Sequence, residues 1–166
     1  MIEIHPASEN QLVEVQKIAY ATWPNTFSNI LTPVQIEYML DQMYDLQELK
    51  SQMKIRKHNF LLAREGEETL GFCSYELNCE GSNSVKIHKI YILPNTQGKG
   101  IGKKLLNEVK KIADQNGFKS IYLNVNRFNK QAIEFYLYIG FKEIKKEVID
   151  IGNGFVMDDL VLELTF

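Results

Sequence analysis

A glycine-rich turn between a strand and a helix constrains the fold of this chain more than any other feature. The apolar run that ends at Pro94 predicts a buried strand, and apolar residues repeat at helical spacing from Ile101 onward. Gly98, Gly100 and Gly102 lie at alternate positions around this junction. Glycine lets the backbone adopt unusual dihedral angles and approach a ligand without a Cβ in the way. The arrangement therefore predicts a turn that binds a phosphate or pyrophosphate group.

Positive charge around the turn supports the same prediction. The first N–H groups of a helix lack partners within the helix and attract phosphate oxygens. Lys99, Lys103 and Lys104 add cationic charge beside them. A dinucleotide-binding fingerprint would need glycine at position 103, and the Gly-Lys-Ser/Thr end of a P-loop is missing. A tight turn without a ligand is the alternative for this segment taken alone.

The hydrophobic pattern of the whole chain predicts a mixed α/β fold, with helices on the faces of a sheet. Seven segments are typical of strands, namely 2–5, 60–63, 70–77, 85–93, 120–125, 141–149 and 155–164. Five segments are typical of helices, namely 8–20, 33–44, 46–55, 101–116 and 129–139. Ser8 and Gln11 form a capping box for the first helix. Trp23-Pro24-Asn25 is expected to end that helix, because proline has no N–H group.

The composition narrows the classes of protein. A chain of 166 residues with 45% apolar and 24% charged residues fits one globular domain, 1–166. The formal net charge of −2 argues against nucleic acid as a partner. No apolar run approaches the roughly 20 residues that cross a bilayer, and the first residues do not resemble a signal peptide. The expected location is therefore cytoplasmic, with no membrane partner and with Cys73 and Cys79 as packing residues.

The turn also carries a family resemblance. Gln97-Gly98-Lys99-Gly100-Ile101-Gly102 matches the Gln/Arg-x-x-Gly-x-Gly/Ala signature of the GNAT acetyltransferases, and the preceding Ile90-Tyr91-Ile92-Leu93-Pro94 is similar to their fourth strand. The resemblance implies a central, mostly antiparallel sheet of six to seven strands flanked by helices on both faces. It implies acetyl-CoA as the co-substrate. The residues implied to bind it are Ile92 and Leu93 through their backbone, and Gln97, Gly98, Lys99, Gly100, Ile101, Gly102 and Lys103 around the pyrophosphate.

A second block resembles the same family. Asn124-Val125-Asn126-Arg127-Phe128-Asn129 is followed by Ala132-Ile133-Glu134-Phe135-Tyr136 and then by Gly140-Phe141. The resemblance implies that Asn129 contacts the cofactor and that Tyr136 lies near the thioester sulfur as general acid. Asn129 is also a good helix cap, and Tyr136 lies on a largely apolar helix, so structural roles are the alternatives.

The expected reaction is direct transfer of an acetyl group to a neutral amine, with one acid and one base. The base is not identified by the sequence. His88 on the fourth strand is one candidate, although an ordinary strand histidine is the simpler interpretation, and His5 and His58 are weaker candidates. Three histidines scattered along the chain do not suggest a metal site.

The acceptor is expected to be a small or peptide amine. The resemblance implies Trp23, Phe27, Tyr38 and Tyr75 as acceptor-binding residues. Glu37, Asp41 and Asp45 recur every four residues on one helix face, which would suit a polyamine or simply a solvated face. The early segment is similar to PaiA-type and diamine-acetyltransferase-like members. Acceptors such as an amino acid, an antibiotic or a protein N-terminus remain open, as do an acyl-CoA sensor without catalysis and a homodimer.

Overall fold

The computed structural model describes residues 1–96 and 98–166 and contains one seven-stranded sheet. The strands are β1 (Ile2–Pro6), β2 (Asn59–Glu65), β3 (Glu68–Leu77), β4 (Val85–Ile92), β5 (Ser120–Asn126), β6 (Lys142–Gly152) and β7 (Phe155–Thr165). The helices are α1 (Leu12–Phe27), α2 (Pro33–Tyr44), α3 (Leu46–Lys54), α4 (Ile101–Gln115) and α5 (Lys130–Ile139). Short 3-10 turns cover Glu9–Gln11, Cys79–Gly81 and Pro94–Thr96. The predicted mixed fold is confirmed.

The strand order is β1-β2-β3-β4-β5-β7-β6, and every neighbouring pair is antiparallel except β4 with β5. Apolar side chains of α4 and α5 pack on one side of the sheet. Those of α1, α2 and α3 pack on the other. The sheet is therefore covered on both faces around its centre. No helix within the described ranges combines the length and the apolar character that a bilayer span requires.

The first helix is longer than the sequence predicts. The Gln11 side chain accepts a hydrogen bond from the Ser8 amide at 2.9 Å, as the capping box requires. The expected break at Pro24 is wrong, because α1 continues through it to Phe27. Pro24 is exposed, while Trp23 and Phe27 are buried on the inner side. Proline inside a helix costs roughly 3 kcal/mol. Burying two large rings offsets this, at about 1.5–3 kcal/mol each.

The strands β4 and β5 separate along their length. The two strands pair in parallel over three residues only. Val85–Ile87 of β4 lie beside Ile121–Leu123 of β5, although both strands continue further. The outer edge of β4 stays paired with β3 as far as Ile92, and β5 stays paired with β7 as far as Asn126. Each strand is thus held from outside while a gap opens between them. This gap positions the site.

Candidate functional site

A cavity of about 820 Å³ lies at the gap between β4 and β5. Its walls come from both strands, from the starts of α4 and α5, and from α1, α2, α3 and β7. The sequence-predicted residues that line it are Trp23, Phe27, Ile92, Gly98, Gly100, Ile101, Gly102, Lys103, Asn129 and Tyr136. The structure therefore brings most of the two family blocks and part of the early aromatic segment to one place.

The glycine-rich turn forms one end of the cavity. Gly98 and Gly100 have φ angles of 95° and 75°, which side chains other than glycine rarely adopt. Gly100 caps α4, and the first amide bonded back within that helix is that of Lys104, which donates to the Gly100 carbonyl at 3.0 Å. The amides of residues 101–103 therefore have no partner within the helix. These N–H groups, with the Lys103 side chain, suit the phosphate oxygens of coenzyme A.

Gly102 serves another purpose than the turn. A Cβ there would lie 3.2 Å from Ile92 and 3.2 Å from Phe135, so a side chain would push α4 away from β4 and α5. Its φ is not in the left-handed region. The third glycine thus allows close packing of the helix, and the other two shape the backbone of the turn.

Several expected cofactor contacts lie elsewhere. Lys99 is exposed and lies 3.5 Å from Glu65, so it faces away from the described lining. The Leu93 amide donates to the Leu70 carbonyl at 2.8 Å, which leaves it unavailable to a ligand. Contacts of Lys99 and Leu93 with the cofactor stay predictions. Gln97 lies outside the described residues.

Asn129 and Tyr136 belong to the start and the middle of α5. The Asn129 side chain caps the helix by accepting the Ala132 amide at 3.3 Å, and the residue also lines the cavity, so the two expected roles are compatible. Tyr136 is buried and packs edge-on against Phe141. Burial raises the pKa of its phenol well above the usual value, and Tyr91 and Cys73 add to this effect. Tyr136 is therefore protonated at neutral pH and can donate a proton.

His58 and His88 are not scattered, contrary to the sequence prediction. Their rings stack with centroids 3.9 Å apart, and both Nε2 atoms face Glu76 Oε1, at 3.4 Å from His58 and 3.0 Å from His88. A β-bulge at this point of β4 turns His88 toward His58, which precedes β2. The order of residues along the chain gave no sign of this meeting. His5 does not belong to this cluster and lies beside Glu3 on β1.

The two imidazoles are held neutral. Burial is the largest cause that lowers the pKa of both rings, to about 4 for His58, and nearby cations act in the same direction. The ligand atoms of His58, Glu76 and His88 lie within 4.8 Å of one another, close enough for a metal ion. Lys86 and Lys89 also line this wall, and their charge opposes the binding of a cation there. The neutral rings have free lone pairs, but the lowered pKa makes each a weak base, so only the adjacent Glu76 carboxylate favours proton transfer to His88.

Lys89 stands on the same wall. Its ammonium donates to Gln52 Oε1 at 2.8 Å and lies 5.6 Å from the centre of the Tyr44 ring. Burial is the main cause that lowers its pKa to about 7, and Arg56 contributes. Arg56 itself forms an ion pair with Glu48. This wall of the cavity is therefore basic.

The wall formed by β5 and β7 is acidic. Asp159 lines the cavity, and Asn124 Nδ2 donates to its Oδ2 at 3.3 Å. The same amide donates to Glu147 on β6 at 2.8 Å. Burial is the main cause that raises the pKa of Asp159, and Glu147 adds to it. Sequence reasoning missed Asp159, Glu76 and Lys89 as site residues. Charged residues inside otherwise apolar strand segments were the available signal.

The expected acceptor residues divide into two groups. Trp23 and Phe27 line the cavity and also pack against Tyr91, so they belong to the core and to the wall at once. Tyr38 and Tyr75 lie outside the described lining. The Tyr38 hydroxyl donates to the Ile151 carbonyl at 2.9 Å, and Tyr75 is buried in the core beneath α4. Their role in binding the acceptor stays a prediction.

The acidic stripe of α2 does not reach the cavity. Glu37, Asp41 and Asp45 are exposed and do not belong to the described lining. Asp45 caps α3 by accepting the amides of Gln47 and Glu48. This side chain therefore has a structural role at a helix start.

Solved structures with the same arrangement exist. The PaiA N-acetyltransferase of Thermoplasma acidophilum in complex with coenzyme A superimposes with a TM-score of 0.83 and 25% identity, over 100% of this chain and 99% of that one. A GCN5-related N-acetyltransferase of Rhodopseudomonas palustris gives a TM-score of 0.83 at 16% identity, over 99% of this chain and 95% of that one. The second likeness concerns the fold alone.

Sequence relatives agree with this likeness. A spermidine N(1)-acetyltransferase of Thermoplasma acidophilum is 27% identical over 161 residues, which cover 95% of this chain and 96% of that protein. An uncharacterised N-acetyltransferase of Methanocaldococcus jannaschii is 35% identical over 101 residues, 58% of this chain, and the match spans 44% of that relative's length.

The family profile agrees with the geometry of the site. The model of the Acetyltransferase (GNAT) family matches residues 15–141, a stretch that includes the separated strands, the glycine turn and Tyr136. This range is more than half of the chain. The chain belongs to the GNAT family of acetyltransferases.

Proposed function

We propose that this protein is an N-acetyltransferase that moves an acetyl group from acetyl-CoA to a primary amine. The gap between β4 and β5, with the open amides at the start of α4, is the observation that carries the proposal. Coenzyme A fits because its pyrophosphate matches those amides and the gap leads from them toward Tyr136. When bound, acetyl-CoA supplies a thioester carbonyl that a neutral amine attacks.

The residues of the chain divide the proton transfers between them. His88, backed by Glu76, accepts a proton from the acceptor ammonium and leaves a neutral nucleophile. The Glu76 carboxylate stabilises the imidazolium that forms. Tyr136 would supply its phenolic proton to the sulfur of the leaving coenzyme A, and a backbone N–H of β4 would stabilise negative charge on the carbonyl oxygen. This part of the proposal calls for no metal ion.

A polyamine is the acceptor class that we favour. The relative from Thermoplasma acidophilum is named as a spermidine N(1)-acetyltransferase and aligns over nearly the whole chain. The acidic wall around Asp159 supports a cationic acceptor. The role of Glu37 and Asp41 as polyamine ligands stays a prediction. It gains no support from the cavity, because neither residue belongs to the described lining. A cytoplasmic location belongs to the proposal, because the buried thiols of Cys73 and Cys79 are both free.

The test measures release of coenzyme A from acetyl-CoA with spermidine, putrescine, amino acids and short peptides. Tyr136→Phe removes only the phenolic oxygen, and we expect it to lower kcat by about 100-fold or more, since a general acid contributes at least that much. The affinity for acetyl-CoA should stay close to that of the wild type.

Tyr138→Phe is the matched control, because Tyr138 lies two residues away on the same helix and is 87% exposed. It should keep the wild-type rate. Absence of release with every amine would refute the proposed activity. An unchanged rate in Tyr136→Phe would leave the activity standing and remove Tyr136 as the acid.

A further inference from the structure

Asp159 is a buried carboxylate with too few partners. Only 3% of the residue is exposed, and its Oδ1 atom has no hydrogen-bond partner among the described residues. Its other oxygen accepts a single long hydrogen bond, from Asn124 at 3.3 Å. A buried carboxylate without partners loses the solvation that water would provide, and the loss amounts to several kcal/mol for an unpaired ion. The fold keeps this group nonetheless.

A second carboxylate lies directly opposite. Glu147 on β6 pairs in register with Asp159 on β7, and both accept from the same Asn124 amide. Like charges directly opposite each other on neighbouring strands are destabilising. Glu147 forms an ion pair with the exposed Lys145, whose ammonium lies 3.8 Å from its carboxylate. Asp159 itself takes part in none of the ion pairs formed within residues 1–96 and 98–166.

The position of Asp159 relates this unpaired charge to the cavity. The residue lines the cavity and lies opposite Asn126, the last residue of β5. The charge of Asp159 contributes to raising the pKa of Tyr91 on the facing strand β4. The Asp159 carboxylate is therefore on the wall of the reaction cavity. The charge of Lys86 reaches it, but no cation forms an ion pair with it among the described residues, and a ligand that brings one would complete it.

We propose that Asp159, supported by Glu147, binds a second ammonium group of the acceptor, one that does not react, so that the site selects diamines and polyamines over monoamines. The inference rests on the proposed acetyl transfer to an amine and deepens it.

The bound ammonium cannot be the one that reacts. A carboxylate beside an amine favours its charged form, and a protonated amine has no lone pair with which to attack. The opposite wall has the reverse effect, because Lys89, which contacts Gln52 and Tyr44 there, favours the neutral form of an amine brought near it. The two walls thus distinguish the two ends of a diamine. One end is kept charged at Asp159, and the other is left neutral near His88.

The experiment compares two amines with the same four-carbon chain, putrescine with two amino groups and n-butylamine with one. Their binding to the protein saturated with coenzyme A is measured by isothermal titration calorimetry, and their KM values are measured in the release assay. The wild type should bind putrescine more tightly than n-butylamine by about tenfold or more, the value of one charged contact. Asp159→Asn, which keeps the size of the side chain, should abolish this preference without changing the binding of n-butylamine.

Asp158→Asn is the matched control. Asp158 is the neighbouring residue, and its carboxylate lies 3.5 Å from Arg127, outside the described cavity lining. It should keep the wild-type preference. Equal binding of the two amines by the wild type would overturn the inference without any variant, and so would a preference that persists in Asp159→Asn. A preference lost in Asp159→Asn, with no acetyl transfer to any amine, would uphold this site and refute the proposed activity alone.

Discussion

Lys89 has a lowered pKa that reflects the poor solvation of the basic wall of the cavity. It lies on a central strand, where an apolar residue would be usual, and its ammonium has a neutral amide and an aromatic ring as its closest partners. The folded protein therefore holds a charge in a poorly solvated place, beside the positive Arg56. The cost of that charge depends on pH, so it can be measured.

The stability of the protein should consequently rise with pH in a way that depends on Lys89. The pKa of Lys89 is about 7 in the folded protein and has an ordinary value of 10.5 in the unfolded chain. Between these values the unfolded chain binds more protons, so the free energy of unfolding increases with pH. Lys89→Met removes this contribution. The Tm of Lys89→Met minus that of the wild type should be largest near pH 6 and shrink toward pH 9, as measured by differential scanning calorimetry. A difference that stays constant from pH 6 to pH 9 would contradict the burial of the charge.

The sequence predicted the residues of the site only where they belong to a recognisable motif. Gly98, Gly100, Asn129 and Tyr136 lie in two short blocks whose spacing is tied to one function, and all four line the cavity. His58 and Glu76 belong to no such block, and the C-terminal segment that ends at Asp159 resembles the family without indicating a role for that residue. The register of β2 with β3 places His58 beside Glu76, and the pairing of β5 with β7 places Asp159 beside Asn126. Spacing along the sequence does not give these registers.

At the scale of elements, the glycine turn and the start of α4 act as one unit. The left-handed conformation of Gly100 turns the chain into the helix, and residues 100–103 at the start of the helix line the cavity. Alanine at this position would strain the backbone, although its Cβ would meet nothing within 4 Å. The strain alone would displace the amides.

Gly100→Ala should therefore weaken acetyl-CoA binding, whereas Gly66→Ala should not. Gly66 also has a left-handed φ and open space around it, but it lies in the turn between β2 and β3. Each variant should lose about 1–2 kcal/mol of stability, the cost of that conformation for an L-residue. The KM for acetyl-CoA should rise about tenfold or more in Gly100→Ala alone, since a lost charged contact costs that much. Equal KM values in the two variants would show that the turn does not hold the pyrophosphate.

The elements themselves were largely predictable, and the exception is instructive. Helical periodicity and turn residues between apolar segments located every strand and every helix, although β6 has no alternating pattern of burial. Pro24 was misjudged because the local rule about proline considers the backbone alone. Trp23 and Phe27 pack into a core built from three helices, and that tertiary contact decides where α1 ends.

At the scale of the whole molecule, β6 is an edge of the sheet with exposed apolar side chains among its charged ones. It is the last strand of the sheet, and most of its residues are exposed, including the apolar Ile144 and Val148. Exposed apolar edges are places where another strand can add. We propose that a second copy of this chain pairs there and forms a homodimer.

Light scattering coupled to size-exclusion chromatography tests this assembly. The wild type should have about twice the 19.2 kDa mass of the chain, and Val148→Asp should be monomeric because a charge would be buried at the contact. Val34→Asp is the control, since Val34 is equally exposed at 66% but lies on α2. A monomeric wild type, or a dimer that survives Val148→Asp, would contradict pairing through β6.

The gap between β4 and β5 has a consequence for how the protein binds its ligand. The two strands are already apart in the structure, each braced by its outer neighbour. Closing the gap would require breaking the pairing of β4 with β3 or of β5 with β7, so the separation is fixed by the fold. A ligand that enters meets a preorganised channel, and little of its affinity is lost to rearrangement. A ligand bound in this channel would add to the stability of the folded protein by mass action.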